Sequence, residues 1–309
     1  MHLNGYKPEG AVLSMPANRE YLASEQGLIR AMNEGVILEA MAVRCDSSYR
    51  LTVDLGCMKG IIDRSDVQYT ARENEVRDIA VITRVGKAVC FKVMGFYTEN
   101  GKKVACLSRR EAQRECTENF LGVCTAGDII DAKITHLENF GAFVDIGCGI
   151  VSLLSIDCIS VSRISHPSDR FNVGDRIRVV IKSIDGDRIY VTHKELLGTW
   201  EENAALFSVG QTVAGIVRSV EDYGIFVELT PNLAGLAEYR SDITVGQTTA
   251  VYIKNMIPDR MKLKLVIIDS YKGENEPQRA VCGYGEDVTH IDTWRYSPVG
   301  CKRIIQTEF

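Results

Sequence analysis

Seven residues, Phe140-Gly-Ala-Phe-Val-Asp-Ile146, recur 83 positions later as Tyr223-Gly-Ile-Phe-Val-Glu-Leu229. In a strand, side chains alternate between faces. Ala142, Val144 and Ile146 then line a core while Phe143 and Asp145 point the other way, and Ile225, Val227 and Leu229 face inward with Phe226 outward. Both copies therefore place an aromatic ring on the polar face of a strand. Gly141 breaks the phase as a bulge or close-approach position does, which turns Phe140 towards the same outer surface. A chain that repeats such a segment is expected to fold as a series of like modules.

The residues around the first copy read as five short strands: Asp128 to His136, Phe140 to Ile146, Ile150 to Leu154, Arg176 to Ile184 and Arg188 to His193. A long connection, with His166-Pro-Ser-Asp-Arg170 inside it and Val173-Gly-Asp175 at its end, precedes the fourth. Five strands in about 70 residues suit a small barrel. At 309 residues the chain is long for one core, so two to four small domains are expected.

Gly127-Asp-Ile-Ile-Asp-Ala-Lys-Ile-Thr, Phe140-Gly-Ala-Phe-Val-Asp-Ile-Gly147, Phe171-Asn-Val-Gly-Asp175 and Arg188-Ile-Tyr-Val-Thr192 resemble the S-one RNA-binding domain. That is the repeat of the largest protein of the small bacterial ribosomal subunit, and it implies an oligonucleotide-binding (OB) barrel. The resemblance extends over residues 35–269. A shift of 83 sets Gly127 on Gly210, Gly141 on Gly224 and Phe143 on Phe226, which makes residues 208–269 a further copy. A shift of 91 sets Val53-Asp-Leu-Gly56 on Val144-Asp-Ile-Gly147, with Leu51, Val53 and Leu55 in the core phase. In this first copy Tyr49 takes the place of Phe140, but Arg50 replaces Gly141 and Thr52 replaces Phe143, so the aromatic pair is reduced to one ring.

The expected architecture is mainly β: three consecutive five-stranded OB barrels linked by short helices. Residues 1–34 form an arm and a helix, 35–122 a degenerate barrel with a linker helix, 123–207 a barrel with a linker helix, 208–269 a barrel, and 270–309 a tail. Apolar spacing predicts one helix from Pro16 to about Met32, ending before Gly35. Ser108 with Glu111, and Thr192 with Glu195, have the spacing of reciprocal helix caps. The helix after Glu195 presents Leu196, Leu197, Trp200, Ala204 and Phe207 on one face, which makes Trp200 an anchor between modules. Beyond residue 270 come a polar turn at Lys272-Gly-Glu-Asn-Glu-Pro277 and a few large apolar residues, Trp294, Tyr296, Ile304 and Ile305. They are too few for a domain and are expected to pack back on the last barrel.

Exposed rings on a sheet stack unpaired bases with little sequence preference. Phe140, Phe143, Tyr223 and Phe226 are the candidates. The resemblance adds Asp185 and Arg188 in the central barrel and Arg260 in the third. Arg176, Arg178, Lys182 and Arg188 alternate along the last two strands as phosphate-neutralising candidates. Two departures weaken the site: the segment Cys148 to Leu154 lacks the His that the family usually has, and Glu238 stands near that position in the third barrel. His136 could join the RNA face, but reads as a solvated strand-end residue.

The resemblance implies single-stranded RNA as the partner, with contact to mRNA or the ribosome in translation or RNA turnover, in a bacterial protein. A protein-interaction scaffold and a regulatory subunit of an RNA-processing enzyme are the alternatives. The net charge of −5 excludes a general basic nucleic-acid glue, whereas residues 35–120, with 14 Lys and Arg against 12 Asp and Glu, are locally basic. The ten cysteines have no C-x-x-C spacing and read as reduced thiols. The five histidines have no ligand spacing, and neither a phosphate loop nor a nucleophile elbow is present, so no enzyme, metal or cofactor is expected. Without a membrane-length apolar run or a signal-peptide layout, a cytoplasmic location is expected.

Overall fold

A computed structural model describes residues 6–69, 76–186, 188–271, 283–285 and 287–309. The polar turn at residues 272–277 lies outside the described residues. Three closed five-stranded barrels follow one another. The first contains β1 (Leu38–Cys45), β2 (Leu51–Asp54), β3 (Lys59–Ile62), β4 (Ala88–Glu99) and β5 (Lys102–Ser108). The central one contains β6 (Ile129–Glu138), β7 (Gly141–Asp145), β8 (Val151–Ser155), β9 (Arg176–Asp185) and β10 (Arg188–Thr192). The third contains β11 (Thr212–Glu221), β12 (Gly224–Thr230), β13 (Leu233–Ala237), β14 (Thr248–Ile257) and β15 (Lys262–Tyr271). In each the third strand pairs parallel with the fifth, which closes the sheet.

The period-2 pattern places the cores as expected. Leu51, Val53 and Leu55, then Ala142, Val144 and Ile146, then Ile225, Val227 and Leu229 are all buried. Gly141 and Gly224 are required by close approach: a Cβ on the first would lie 2.4 Å from the Leu154 carbonyl oxygen, and on the second 2.5 Å from that of Ala237. Each glycine lets the strand start tight against its neighbour. Among the described residues no helix is long and apolar enough to cross a membrane.

The chain divides into two compact units. The first joins residues 1–124 to the short segments 131–133 and 145–151. Two helices, α1 (Pro16–Leu22) and α2 (Glu25–Glu34), stand where the spacing predicts one. Ser24 caps α2 by accepting from the Gly27 amide, and a Cβ at Gly27 would lie 2.4 Å from the Tyr21 carbonyl oxygen, so the glycine serves the break between the helices. A short helix α3 (Asp78–Ile82) precedes β4. Helix α4 (Arg109–Asn119) starts where Ser108 accepts from the Glu111 amide. Its Ala112, Cys116 and the following Phe120 are buried, as is Arg109, which is ion-paired with Glu9 at 2.6 Å.

Asp145 departs from its expected outward, solvated position. It is 2% exposed and accepts from the amides of Glu9, Gly147 and Gly149 at 2.7, 2.9 and 3.0 Å. Burial, and then the neighbouring Glu9 charge, pushes its carboxyl up to about 6. Strand alternation gives the direction of the side chain but says nothing about what covers that face. Here the N-terminal arm does, and the same arm donates the Gly10, Val12 and Leu13 amides to Glu39.

The second unit holds residues 125–130, 134–144 and 152–309. The helix expected from Thr192 is also split. Thr192 donates its hydroxyl to Glu195, a short turn of helix spans Lys194–Leu197, and Gly198, at φ +80°, ends it. Thr199 and Glu202 then form the reciprocal cap of α5 (Trp200–Ala204). Trp200 is buried in one cluster with Val180, Val227, Trp294 and Tyr296. The tail, including β16 (Thr293–Arg295) and β17 (Gln306–Glu308), thus packs on the third barrel and also reaches β9 of the central one. Arg170 and Glu228 form an ion pair with neither side chain exposed, and Arg218 bonds the other Glu228 oxygen at 3.0 Å.

Candidate nucleic-acid interface

Both glycine-spaced aromatic pairs are assembled, with nearly identical geometry. The Phe140 and Phe143 ring centroids lie 6.0 Å apart with planes at 89°, and those of Tyr223 and Phe226 lie 6.2 Å apart at 86°. Phe140 is 54% exposed and Tyr223 71% exposed, while Phe143 and Phe226 are half-buried beneath them. An edge-on pair with one free ring leaves a π-face open to a base.

A third ring stands beside the central pair. His136, on β6, is stacked over Phe143 with centroids 6.3 Å apart and planes 24° from parallel, and its Nε2 is 2.7 Å from Glu138. A strand-end His gives no signal of this in the sequence; the cross-strand register creates it. Tyr190 is a further ring of this kind. On β10 it pairs with Leu153 of β8 on one side and Ser183 of β9 on the other.

The register of the third barrel is explicit along the equivalent line. Ser219 pairs with Phe226, Phe226 with Leu236, and Leu236 with Lys264. His136, Phe143 and Leu153 stand 83 positions before Ser219, Phe226 and Leu236, and Tyr190 holds the place of Lys264 beside the leucine.

Asp185 and Arg188 face each other across the β9–β10 hairpin, two positions along from the Ser183–Tyr190 pair and in the same phase. Both are exposed. Arg260 is exposed in the turn between β14 and β15, at the corresponding hairpin end of the third barrel. The other basic candidates are placed elsewhere. Arg176 opens β9, about 30 Å of strand from Asp185. Arg178 donates to the carbonyls of Tyr284, Gly285 and Val288 in the tail. Val180, in the same phase as Arg178, is fully buried in the cluster that contains Trp294. At Arg178 and Val180, β9 packs against the tail. Lys182 lies 3.4 Å from the Cys158 sulfur.

Among the described residues the first barrel has no comparable glycine-spaced aromatic pair. Tyr49 adopts φ +58° and its ring is covered by the Arg64 guanidinium at 5.1 Å, while Arg50 is held by Asp46 at 2.9 Å. Glu238 is exposed on the third barrel. Among the described residues no group of His, Cys, Asp and Glu is arranged to hold a metal ion.

The sequence model of the S1 RNA binding domain matches residues 124–194. The small ribosomal subunit protein bS1 of Staphylococcus saprophyticus is 35% identical over 209 residues, which cover 61% of this chain and 51% of that protein. The bS1 of Leuconostoc lactis is 35% identical over 182 residues, 58% of this chain and 41% of that protein. The chain thus spans about half the length, or less, of these curated relatives. Among solved structures, a multidomain protein with nucleic acid binding domains from Streptococcus pneumoniae is 15% identical, with 76% of this chain and 73% of that chain covered at a TM-score of 0.25. The quoted motifs, the closed five-stranded barrel and the match to the S1 RNA binding domain family coincide on one segment, residues 124–194.

Proposed function

We propose that the chain binds single-stranded RNA on the outward faces of its central and third barrels, and acts in contact with mRNA or the ribosome in translation or RNA turnover. The observation that carries this reading is the repeated edge-on aromatic pair, Phe140 with Phe143 and Tyr223 with Phe226, in two barrels of the same topology. Phe140 and Tyr223 offer the free ring faces. Asp185 and Arg188, two positions along the β9–β10 hairpin from Tyr190, and Arg260 in the β14–β15 turn are suited to ribose and phosphate contacts. The match of residues 124–194 to an RNA-binding family and the bS1 relatives support the same reading.

The test is fluorescence anisotropy of the full chain with a short unstructured RNA and with a duplex of equal length, over a range of salt. Expected are preference for the single strand, a modest salt slope, and loss of affinity in the Phe143→Ala/Phe226→Ala double variant. A wild-type protein that binds neither nucleic acid, or a double variant that binds as well as wild type, overturns it.

A further inference from the structure

We infer that the central barrel carries a second line of base contacts running across its strands, from His136 through Phe143 and Leu153 to Tyr190, and that this line makes it the stronger binder of unpaired bases of the two platforms. The inference rests on the RNA-binding reading above. Three of its four residues, His136, Leu153 and Tyr190, lie outside the Phe140–Phe143 pair.

The geometry supports it in three steps. His136 lies near-parallel to Phe143, so the two rings form a continuous shelf rather than an edge-on corner. Leu153 and Tyr190 are register partners on neighbouring strands and are half-buried, with one side open. The third barrel has the same line with its ends changed: Ser219 in place of His136 and the exposed Lys264 in place of Tyr190. One line therefore has three rings and the other has one ring and a cation. A ring engages the π-face of any base, whereas an ammonium engages a phosphate, which every nucleotide carries. The central line thus discriminates stacked bases from bare backbone, and the third line does not.

Charge around His136 fits a stacking role. Its Nε2 is occupied by Glu138, so the imidazole presents its face while the carboxylate next to it disfavours a phosphate. The exposed ring of Phe140 closes the same corner.

The experiment uses the full chain with two labelled probes of about ten nucleotides, an oligoadenylate and a strand of the same length with abasic sugars. His136→Ala and Tyr190→Ala are each expected to weaken oligoadenylate binding about five- to a hundredfold and to leave abasic-strand binding unchanged. His136→Phe should keep wild-type affinity, which separates stacking from charge. The converse variant, Ser219→His/Lys264→Tyr, should strengthen oligoadenylate binding and weaken abasic-strand binding. Wild-type affinity in both alanine variants, when Phe143→Ala is impaired, overturns the inference and leaves the RNA-binding reading standing. No effect in Phe143→Ala either would remove the central barrel from RNA binding altogether, and this line with it.

Discussion

The His136 ring lies over the Phe143 ring, 24° from parallel and 6.3 Å between centroids, and joins the first strand of the central barrel to the second. Ile134 and Val144 of the same two strands are fully buried in the barrel core, while His136 is exposed and Phe143 half-buried. The side chains proposed for base contact and those that fill the core are therefore different residues of one strand pair, and substitutions can separate them.

Phe143→Ala and Phe226→Ala should each weaken single-stranded RNA binding by about 1–3 kcal/mol. Both rings are half-buried, so some loss of stability is expected, smaller than that of a core truncation. Val144→Ala removes fully buried methyl groups and should cost about 2 kcal/mol of stability with RNA affinity of the folded protein unchanged. Thermal unfolding and RNA titration of the same three variants check the contrast. A larger stability loss for Phe143→Ala than for Val144→Ala would make the ring a core residue.

Glu228→Ala should destabilise the second unit by about 3–5 kcal/mol, because it leaves the buried Arg170 guanidinium without its carboxylate. The paired replacement Arg170→Met/Glu228→Leu should recover most of that loss. Arg218 keeps Asp169 at 3.5 Å as a partner in both variants. Chemical denaturation of the single and paired variants measures the difference, and equal destabilisation by both would show that packing rather than the orphaned charge is responsible.

Trp294→Ala should cost about 3–5 kcal/mol, since the indole is 2% exposed within the third barrel's cluster. Tyr296→Phe should cost about 1 kcal/mol by deleting the hydrogen bond from the Tyr296 hydroxyl to the Asn232 carbonyl. By the same reasoning a fragment that stops at residue 269 should melt well below the full chain. Calorimetry of the two variants and the truncation tests the tail's role; a truncation as stable as wild type would refute it.

His193 should make the fold sensitive to acid. Burial, opposed by its bond with the Arg178 carbonyl and reinforced by the Arg170 charge, pushes its imidazole down to about 4 from 6.5. Between those values the unfolded chain takes up a proton that the folded one refuses, so stability falls as pH drops from about 6.5 to 4, by about 3 kcal/mol in all. Asp145 and Glu39 act in the opposite sense, because burial raises them to about 6 and about 7 and their folded forms bind the extra proton. Stability against pH for wild type minus that for His193→Gln isolates the histidine. A flat difference curve would mean that this side chain takes up its proton at the same pH in the folded and the unfolded chain.

By itself the sequence determined the modules and their cores. The alternation Ala142, Val144, Ile146 and its repeat at Ile225, Val227, Leu229 encode local strand geometry, which depends only on neighbours in the chain and is therefore legible there. Phe143 and Phe226 follow from the same phase, whereas Phe140 and Tyr223 reach that face across the glycine that breaks it. What covers an outward face depends on residues distant in the chain, and only the tertiary structure decided that. Asp145 and Phe143 have the same phase, yet the carboxylate is buried because the arm at Glu9 lies on it. Arg178 has the spacing of a phosphate contact, yet the tail takes its guanidinium more than 100 residues later in the chain. His136 is exposed, as it reads, but its place over Phe143 comes from the pairing of two strands. Period reveals direction; register and long-range packing decide company, because their energies come from pairs that no local window contains.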